Sequence, residues 1–316
     1  MDFRTVVPLK RQRHHLIDYH SKLFLVGSCF SDNIGQKFKD FYFRSTVNPL
    51  GILFHPLAIE RYITRAVNHC PFESEDLIIN NDLYNSFEAH SQFNGLDSDV
   101  VLANLNEVLD LTHSALLEST HIIITLGTSW VYRHIETDQV VANCHKIPQK
   151  KFLKELLSVG EVVNILEAII ELINSLNPNA KFIFTVSPVR HVKDGFIENN
   201  RSKAHLIAAV HEVVENLKGT FYFPSYELLM DELRDYRFYA TDMIHPSRQA
   251  VDFIWDQFIK IWLTDEAKDT YKDIEAYKKG LEHKPFNPSS IQHKEFLRQL
   301  KLKRELLLQK VPHLTL

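Results

Sequence analysis

Glycine is scarce in this chain, with nine residues in 316. Neither Gly-x-x-x-x-Gly-Lys nor Gly-x-Gly-x-x-Gly occurs, so neither common phosphate-cradling loop is present. Cysteine is scarcer. Cys29, Cys70 and Cys144 are odd in number, and their spacings match no zinc or redox motif, which suits a reducing cytosol. Long apolar runs are missing too. The longest, Ile122 to Leu126 with Thr125 inside it, is strand length and far short of a membrane span. The opening MDFRTVVPLKRQRHH is basic, but no apolar stretch follows it, so no secretory signal is expected. No charge dominates: 36 basic residues face 40 acidic ones, for a net charge of -4. A non-specific nucleic-acid binder would be basic. There is also no His-Glu-x-x-His or comparable ligand spacing, so neither a metal nor another cofactor is expected.

What is present is an ordinary globular composition, 45% hydrophobic and 24% charged. A chain this long can bury a sizeable core, as one large domain or one domain with an appendage. Phe24-Leu25-Val26 reads as a buried strand ending at Gly27, and Ser31 to Phe41 as a helix. Phe41 to Val47 reads as a second strand, broken by Asn48-Pro49. Pro56 can open a helix over Leu57 to Val67. The stretch 70–95 looks irregular, with a hairpin over Leu77–Asn80 and Leu83–Phe87 turning at Asn81-Asp82. Val100 to Leu117 is helical by periodicity, and His121 to Leu126 is the clearest strand. Val131–Ile135 and Gln139–Ala142 can pair as a small hairpin. Helices are expected over Glu161–Ser175, Ser202–Leu217 and Arg248–Leu263. Strands are expected at Lys181–Val186 and Phe221–Phe223.

This alternation of strand and helix predicts a three-layer α/β domain over residues 1–265, with a parallel sheet of about five strands. Two charged amphipathic helices, about 266–282 and 290–309, form a C-terminal appendage over 266–316. In such sheets functional groups gather at the carboxyl ends of the strands. Four polar segments are expected there: Gly27 to Ser31, Gly127 to Trp130, Ser187 to His191, and Asp242 to Ser247.

Ser28 lies between a strand and a helix start. Helix N-terminal N–H groups there favour a developing negative charge. Its hydroxyl needs a base to become a nucleophile. Alone, the position is better explained by helix capping. Asp242 and His245 are three apart, so a helical turn would place them on one face. The carboxylate can then fix the imidazole tautomer and leave the other ring nitrogen for a serine proton. Alone, this pair is also explained by a cap for the following helix. Serine, aspartate and histidine together, in this order, make the catalytic reading. Activity is expected to rise with pH as the imidazole loses its proton.

Gly27-Ser28-Cys29-Phe30-Ser31 resembles the motif that names the GSCFA family, with Ser31 where alanine is usual. That family looks like a branch of the SGNH (GDSL-like) hydrolases, which are flavodoxin-like α/β proteins. The resemblance extends to Asn48-Pro49-Leu50-Gly51, Leu126 to Trp130, Asn143-Cys144-His145-Lys146, Ser187 to His191 and Tyr239 to Ser247, and covers about residues 20–265. It implies Ser28 as nucleophile, His245 as base and Asp242 as the acid that orients it. It implies an oxyanion hole built from the Ser28 N–H, the Gly51 N–H and a side chain after the third strand. Where the superfamily has Gly-x-Asn, this chain has Gly127-Thr128-Ser129, so either Ser129 or Asn143 is left for the third donor. One such donor is worth about 10²–10³ in rate.

Other residues are candidates on position. Arg190, with His191 and Lys193, can recognise an anionic substrate group. Trp130, Tyr132 and His145 can line a pocket, and His55 and His90 can reach it from loops. Cys29, beside Ser28, is the alternative nucleophile. Cys144 beside His145 suggests catalysis or a metal ligand, but sequence neighbours rarely serve one site together, so packing is the simpler reading. Lys301, Lys303 and Arg304 form a basic run in the last helix, most simply a solvated face. The function expected is a serine hydrolase acting on an ester, with O-acyl groups on a carbohydrate as the superfamily's analogy. An O-acyltransferase with the same triad and an inactive binding module of the same fold are the alternatives. The expected partner is a small-molecule or carbohydrate ester.

Overall fold

The computed structural model describes residues 5–314. The chain begins with β1 (Lys22–Gly27), α1 (Cys29–Asp40), β2 (Arg44–Val47) and α2 (Pro56–Val67). A hairpin, β3 (Leu77–Asn80) and β4 (Leu83–Ser86), leads to α3 (Ser98–Glu118) and β5 (His121–Leu126). Three short strands follow, β6 (Trp130–His134), β7 (Gln139–Val141) and β8 (Phe152–Leu156). Then come α4 (Val159–Leu176), β9 (Lys181–Val186), α5 (Phe196–Asn216) and β10 (Thr220–Tyr222). A short α6 (Ser225–Glu227) runs into a π-helix (Leu228–Leu233). The chain closes with α7 (Arg248–Trp262), α8 (Asp265–Leu281) and α9 (Ile291–Lys310).

β1, β2, β5, β9 and β10 form one parallel sheet in the order β10-β9-β5-β1-β2. This is the flavodoxin-like order, and its switch point falls between β1 and β5. Successive side chains of a strand point to opposite faces. Phe24, Val26, Ile122, Ile124, Phe182 and Phe184 enter one core with Ile59, Leu105, Leu166 and Val210 of α2 to α5. Leu23, Leu25, Ile123 and Ile183 enter the other with Phe30, Phe38, Ile254 and Trp255 of α1 and α7. The period-2 alternation thus builds three layers from near-continuous apolar strands.

Register levels the strand ends. Gly27 pairs with Thr125, and Thr125 with Thr185, so β1, β5 and β9 finish side by side. Ser28, Gly127 and Ser187 therefore leave the sheet along one edge.

Several boundaries differ from the sequence expectation. The second strand begins at Arg44, because the Phe41 N–H closes α1 onto Lys37 O and Tyr42 turns at φ 61°. α5 begins at Phe196 rather than Ser202. The expected excursion after β5 has a third strand, β8, paired antiparallel to β6. The Asn81-Asp82 turn closes β3 on β4 with both residues at positive φ, as a tight hairpin requires.

The C-terminal helices dock on the α1/α7 face. Ala267, Ile274 and Tyr277 of α8 share its core with Leu307, Val311 and Leu314. Lys303 and Lys310 reach Asp273 at 3.4 and 3.2 Å, so part of the basic run is paired across the two helices. Among the described residues no helix is long and apolar enough to cross a membrane.

Candidate active site

Ser28 is the N-cap of α1, and its Oγ accepts from the Phe30 N–H at 3.3 Å. Its residue is 1% exposed, so the hydroxyl sits at the floor of the strand edge rather than on the surface. Gly27 makes that position reachable. It has φ 142°, and a Cβ there would stand 2.1 Å from Thr125 O. Only glycine allows β1 and β5 to approach so closely at the point where the chain turns into α1. The Ser31 hydroxyl, where the family motif has alanine, is satisfied by Thr125 Oγ1 at 2.8 Å.

Asp242 and His245 lie on the segment between the π-helix and α7. His245 Nδ1 is 2.7 Å from Asp242 Oδ2. Asp242 Oδ1 accepts from the Ile244 and His245 N–H groups at 2.9 and 3.0 Å. These hydrogen bonds, the His245 side chain first, hold the Asp242 carboxyl down to about 2. Met243 turns the chain between them at φ 57°. The turn is closed by the Met243 N–H on Ala240 O and the Ala240 N–H on His245 O. The carboxylate thus fixes Nδ1 as the protonated nitrogen and leaves Nε2 as the basic one. Among the described residues no hydrogen bond joins Ser28 Oγ to His245.

The expected oxyanion donors are engaged elsewhere. The Ser28 N–H donates to Thr125 O at 3.0 Å, and the Gly51 N–H to Asn48 O at 2.8 Å. Ser129 is fully buried, and its hydroxyl donates to Ser202 O at 3.2 Å, towards α5. Asn143 Oδ1 accepts from the His145 N–H at 2.9 Å.

The candidate lining residues divide. His191 follows Arg190 at the end of β9. Its Nε2 is buried without a hydrogen-bond partner and faces Gly127, 3.0 Å from where a Cβ would stand. Burial first, then the charge of Lys203 and His245, pushes its imidazole down to about 3, so it is neutral. Arg190 packs against the Asp242–His245 segment: its N–H donates to Ile244 O and its guanidinium to Met243 O. Trp130 Nε1 donates to Glu198 O at 3.1 Å, and Lys154 Nζ lies over its ring. Lys193 Nζ stands 6.0 Å from the Tyr132 ring.

His145 is buried, with Nε2 on Ser86 O at 2.7 Å, and belongs to the packing around β4. His55 caps α2 and bonds Val141 O, and burial pushes it down to about 4. His90 caps a short turn, with its Cβ against Gly51. Burial, then the neighbouring Asp32 carboxylate, pushes the Cys29 thiol up, the opposite of an activated thiolate. Burial raises Cys144 likewise.

Two residues that were not site candidates shape this edge. Asn48 Oδ1 accepts from the Gly27 N–H at 2.9 Å, and its Nδ2 donates to Asp32 at 2.6 Å, tying β1, α1 and the β2 loop. Lys203 is 1% exposed, and its Nζ donates to Gly127 O at 2.6 Å and Ser187 O at 2.7 Å. It clamps the ends of β5 and β9. Asn48-Pro49 reads in sequence as a strand breaker and as part of the family resemblance, neither of which gives its bonds, and a lysine within a helical pattern reads as surface. Among the described residues no three His, Cys, Asp or Glu side chains gather as a metal site would need.

Comparison with known proteins agrees with the motif. Among curated proteins no sequence matches the chain. Several solved structures are similar. One is a Streptococcus pneumonia protein described provisionally as a platelet activating factor, at 14% identity and TM-score 0.42, covering 78% of this chain and 85% of that one. A carbohydrate esterase family 3 from Talaromyces cellulolyticus is similar at 8% identity and TM-score 0.39, covering 81% and 99%. An acetyl xylan esterase from the rumen bacterium Butyrivibrio proteoclasticus is similar at 13% identity and TM-score 0.32, covering 77% and 65%. Likenesses this distant say nothing of activity. The GSCFA family model matches residues 22–258, and that of the GSCFA domain protein, C-terminal domain, matches 274–316. The chain therefore belongs to the GSCFA family.

Proposed function

We propose that this chain is a serine esterase whose acyl-enzyme forms on Ser28. The observation that carries the reading is the Asp242–His245 pair. Its carboxylate is held by two backbone N–H groups and by the imidazole at 2.7 Å. A histidine fixed in this tautomer is a general base in waiting. Ser28, at the end of β1 beside the switch point of the sheet, is the hydroxyl it serves.

In the first half-reaction Ser28 Oγ bonds to the carbonyl carbon, and its proton passes to His245 Nε2. The tetrahedral intermediate expels the alcohol, which takes that proton back. Water then attacks the acyl-serine by the same route and releases the acid. Asp242 stabilises the imidazolium in both halves. The Ser28–His245 hydrogen bond closes when substrate is seated, as catalytic contacts commonly tighten on binding. By the family's resemblance to SGNH hydrolases, the ester is a short acyl group on a carbohydrate. A sugar hydroxyl in place of water would make the same site an acyltransferase.

A second reading, a binding module that retains the fold, is favoured by the oxyanion side. The Ser28 and Gly51 N–H groups are already paired, and Ser129 faces α5. Hydrolysis of p-nitrophenyl acetate by wild type, Ser28→Ala, His245→Ala and Cys29→Ala separates these. The esterase reading expects activity lost in the first two variants and kept in Cys29→Ala. If wild type neither hydrolyses any ester nor labels with a fluorophosphonate, the binding module stands instead.

A further inference from the structure

Beside the Asp242–His245 segment lies a cavity of about 430 Å³. Its wall is formed by Arg190, Tyr226, Tyr236 and Tyr239, with Asp231, Arg234 and Asp235 among its remaining lining. Arg190 connects it to the catalytic segment through its bonds to the carbonyls of Met243 and Ile244. The guanidinium carbon sits 3.9 Å from the centre of the Tyr239 ring and 5.5 Å from those of Tyr236 and Phe196. Among the described side chains no carboxylate pairs with it. Its guanidinium donates to Met243 O at 3.4 Å and also reaches the Tyr239 hydroxyl.

A guanidinium stacked on rings has lost part of its water, and its fork still fits a planar anion in two-point fashion. The rings suit a ligand with a flat apolar face. Tyr236 and Phe196 are 65% and 59% exposed, more than packing of the fold requires, and both flank Arg190. Exposed aromatics beside a polar anchor are a common lining for ring-shaped ligands. The charge balance selects the anion. Asp231 and Asp235 share the lining, Asp235 already paired with Arg237, so a second negative charge on the ligand would meet their repulsion.

We infer that this cavity is a subsite for a sugar acid, with the carboxylate on Arg190 and the ring against Tyr236. As the alcohol part of the substrate it rests on the esterase reading. Its capacity to bind a free sugar acid does not. The inference narrows the substrate class to acyl esters of acidic sugars.

The test is equilibrium binding, which needs no turnover. Glucuronate, glucose and glucose 6-phosphate are titrated into wild type, Arg190→Gln and Tyr236→Ala, with affinity read by calorimetry or NMR shifts. Glucuronate is expected to bind wild type at least about 10-fold more tightly than glucose, the scale of a charge-assisted pair. Arg190→Gln should weaken glucuronate about 10- to 100-fold and erase its preference over glucose. Tyr236→Ala, at an exposed position, keeps the fold and should weaken both sugars. Equal binding of glucose and glucuronate by wild type overturns the subsite. So does preference for glucose 6-phosphate, or glucuronate affinity insensitive to Arg190. Failure of the esterase reading shows separately, as absent acetate release from any acetyl ester while glucuronate still binds.

Discussion

The backbone N–H of Ser28 donates to the carbonyl of Thr125 at 3.0 Å. The nucleophile candidate is therefore still part of the β1–β5 ladder, one residue past the last paired strand position. Its backbone is fixed by the sheet, its hydroxyl by the cap on α1, and its predecessor Gly27 by Asn48. Rigidity of this kind is what a nucleophile needs for alignment. It also means that an oxyanion competes with Thr125 O for the same donor.

Because the ladder and not the hydroxyl fixes the backbone, Ser28→Ala should fold. It loses one N-cap hydrogen bond, worth about 1 kcal/mol. Esterase activity should fall by at least roughly 10³-fold. Urea unfolding and acetate release, measured on the same sample, check both halves. Residual activity above a tenth of wild type would remove Ser28 as nucleophile.

Asp242→Asn tests the orienting role. The amide oxygen can keep the bonds from the Ile244 and His245 N–H groups, so the turn should persist. Its NH₂ then faces Nδ1 and favours the other tautomer, with the proton on Nε2. Activity is expected to drop by up to about 10⁴-fold with little change in Tm. An ¹⁵N NMR spectrum of the imidazole should show the tautomer exchanged. Unchanged activity would mean that the pair only braces the turn before α7.

Most of the architecture was legible in the sequence, for a physical reason. β1, β5 and β9 are buried on both faces, so they read as short apolar runs with sharp ends at Gly27, Gly127 and Ser187. Helices with one apolar stripe were found to within a residue or two. α5 was cut short because its first turns, Phe196 to Arg201, carry exposed and polar residues. β8 was missed because Phe152–Leu156 is a half-exposed strand broken by two charges. The positions of Ser28, Asp242 and His245 relative to the sheet were anticipated by motif. The Asp242–His245 bond and the Ser28 cap were expected too, but the deeper partners were not. The pairing of Ser28 N–H with Thr125 O and the burial of Lys203 depend on register and tertiary packing, which leave no local pattern.

His191 carries an acid-stability prediction. Buried, it is held neutral with its pKa pushed down to about 3, against an ordinary 6.5. Above pH 6.5 neither the folded nor the unfolded chain protonates it, and its contribution is fully present. As pH falls below 6.5 the unfolded chain takes up the proton and the folded one does not, so stability is lost. At pH 5 that loss is about 2 kcal/mol. His191→Phe has no proton to gain there. Its stability relative to wild type should improve by about 2 kcal/mol between pH 7.5 and pH 5 in urea unfolding. A constant offset between the two proteins would mean that His191 protonates freely in the folded state.

Lys203 gives the opposite window. Burial pushes its pKa down to about 7 from the ordinary 10.5. Below pH 7 both states carry the charge, and the folded state bears its full desolvation cost, about 5 kcal/mol. Between 7 and 10.5 the folded chain sheds the proton while the unfolded one keeps it, so wild type gains stability as pH rises. Lys203→Met removes the cost but strips Gly127 O and Ser187 O of their donor, at about 1–3 kcal/mol each. At pH 6 the two effects roughly cancel, and the variant should be near wild type in stability. At pH 9 wild type has regained about 3 kcal/mol, and its neutral amine still donates to both carbonyls. The variant should then be less stable by about that amount. Urea unfolding of both proteins at pH 6 and pH 9 reads the difference directly. If the gap does not widen with pH, Lys203 remains charged throughout, and the clamp between β5 and β9 is a permanent ammonium rather than a group that titrates near neutrality.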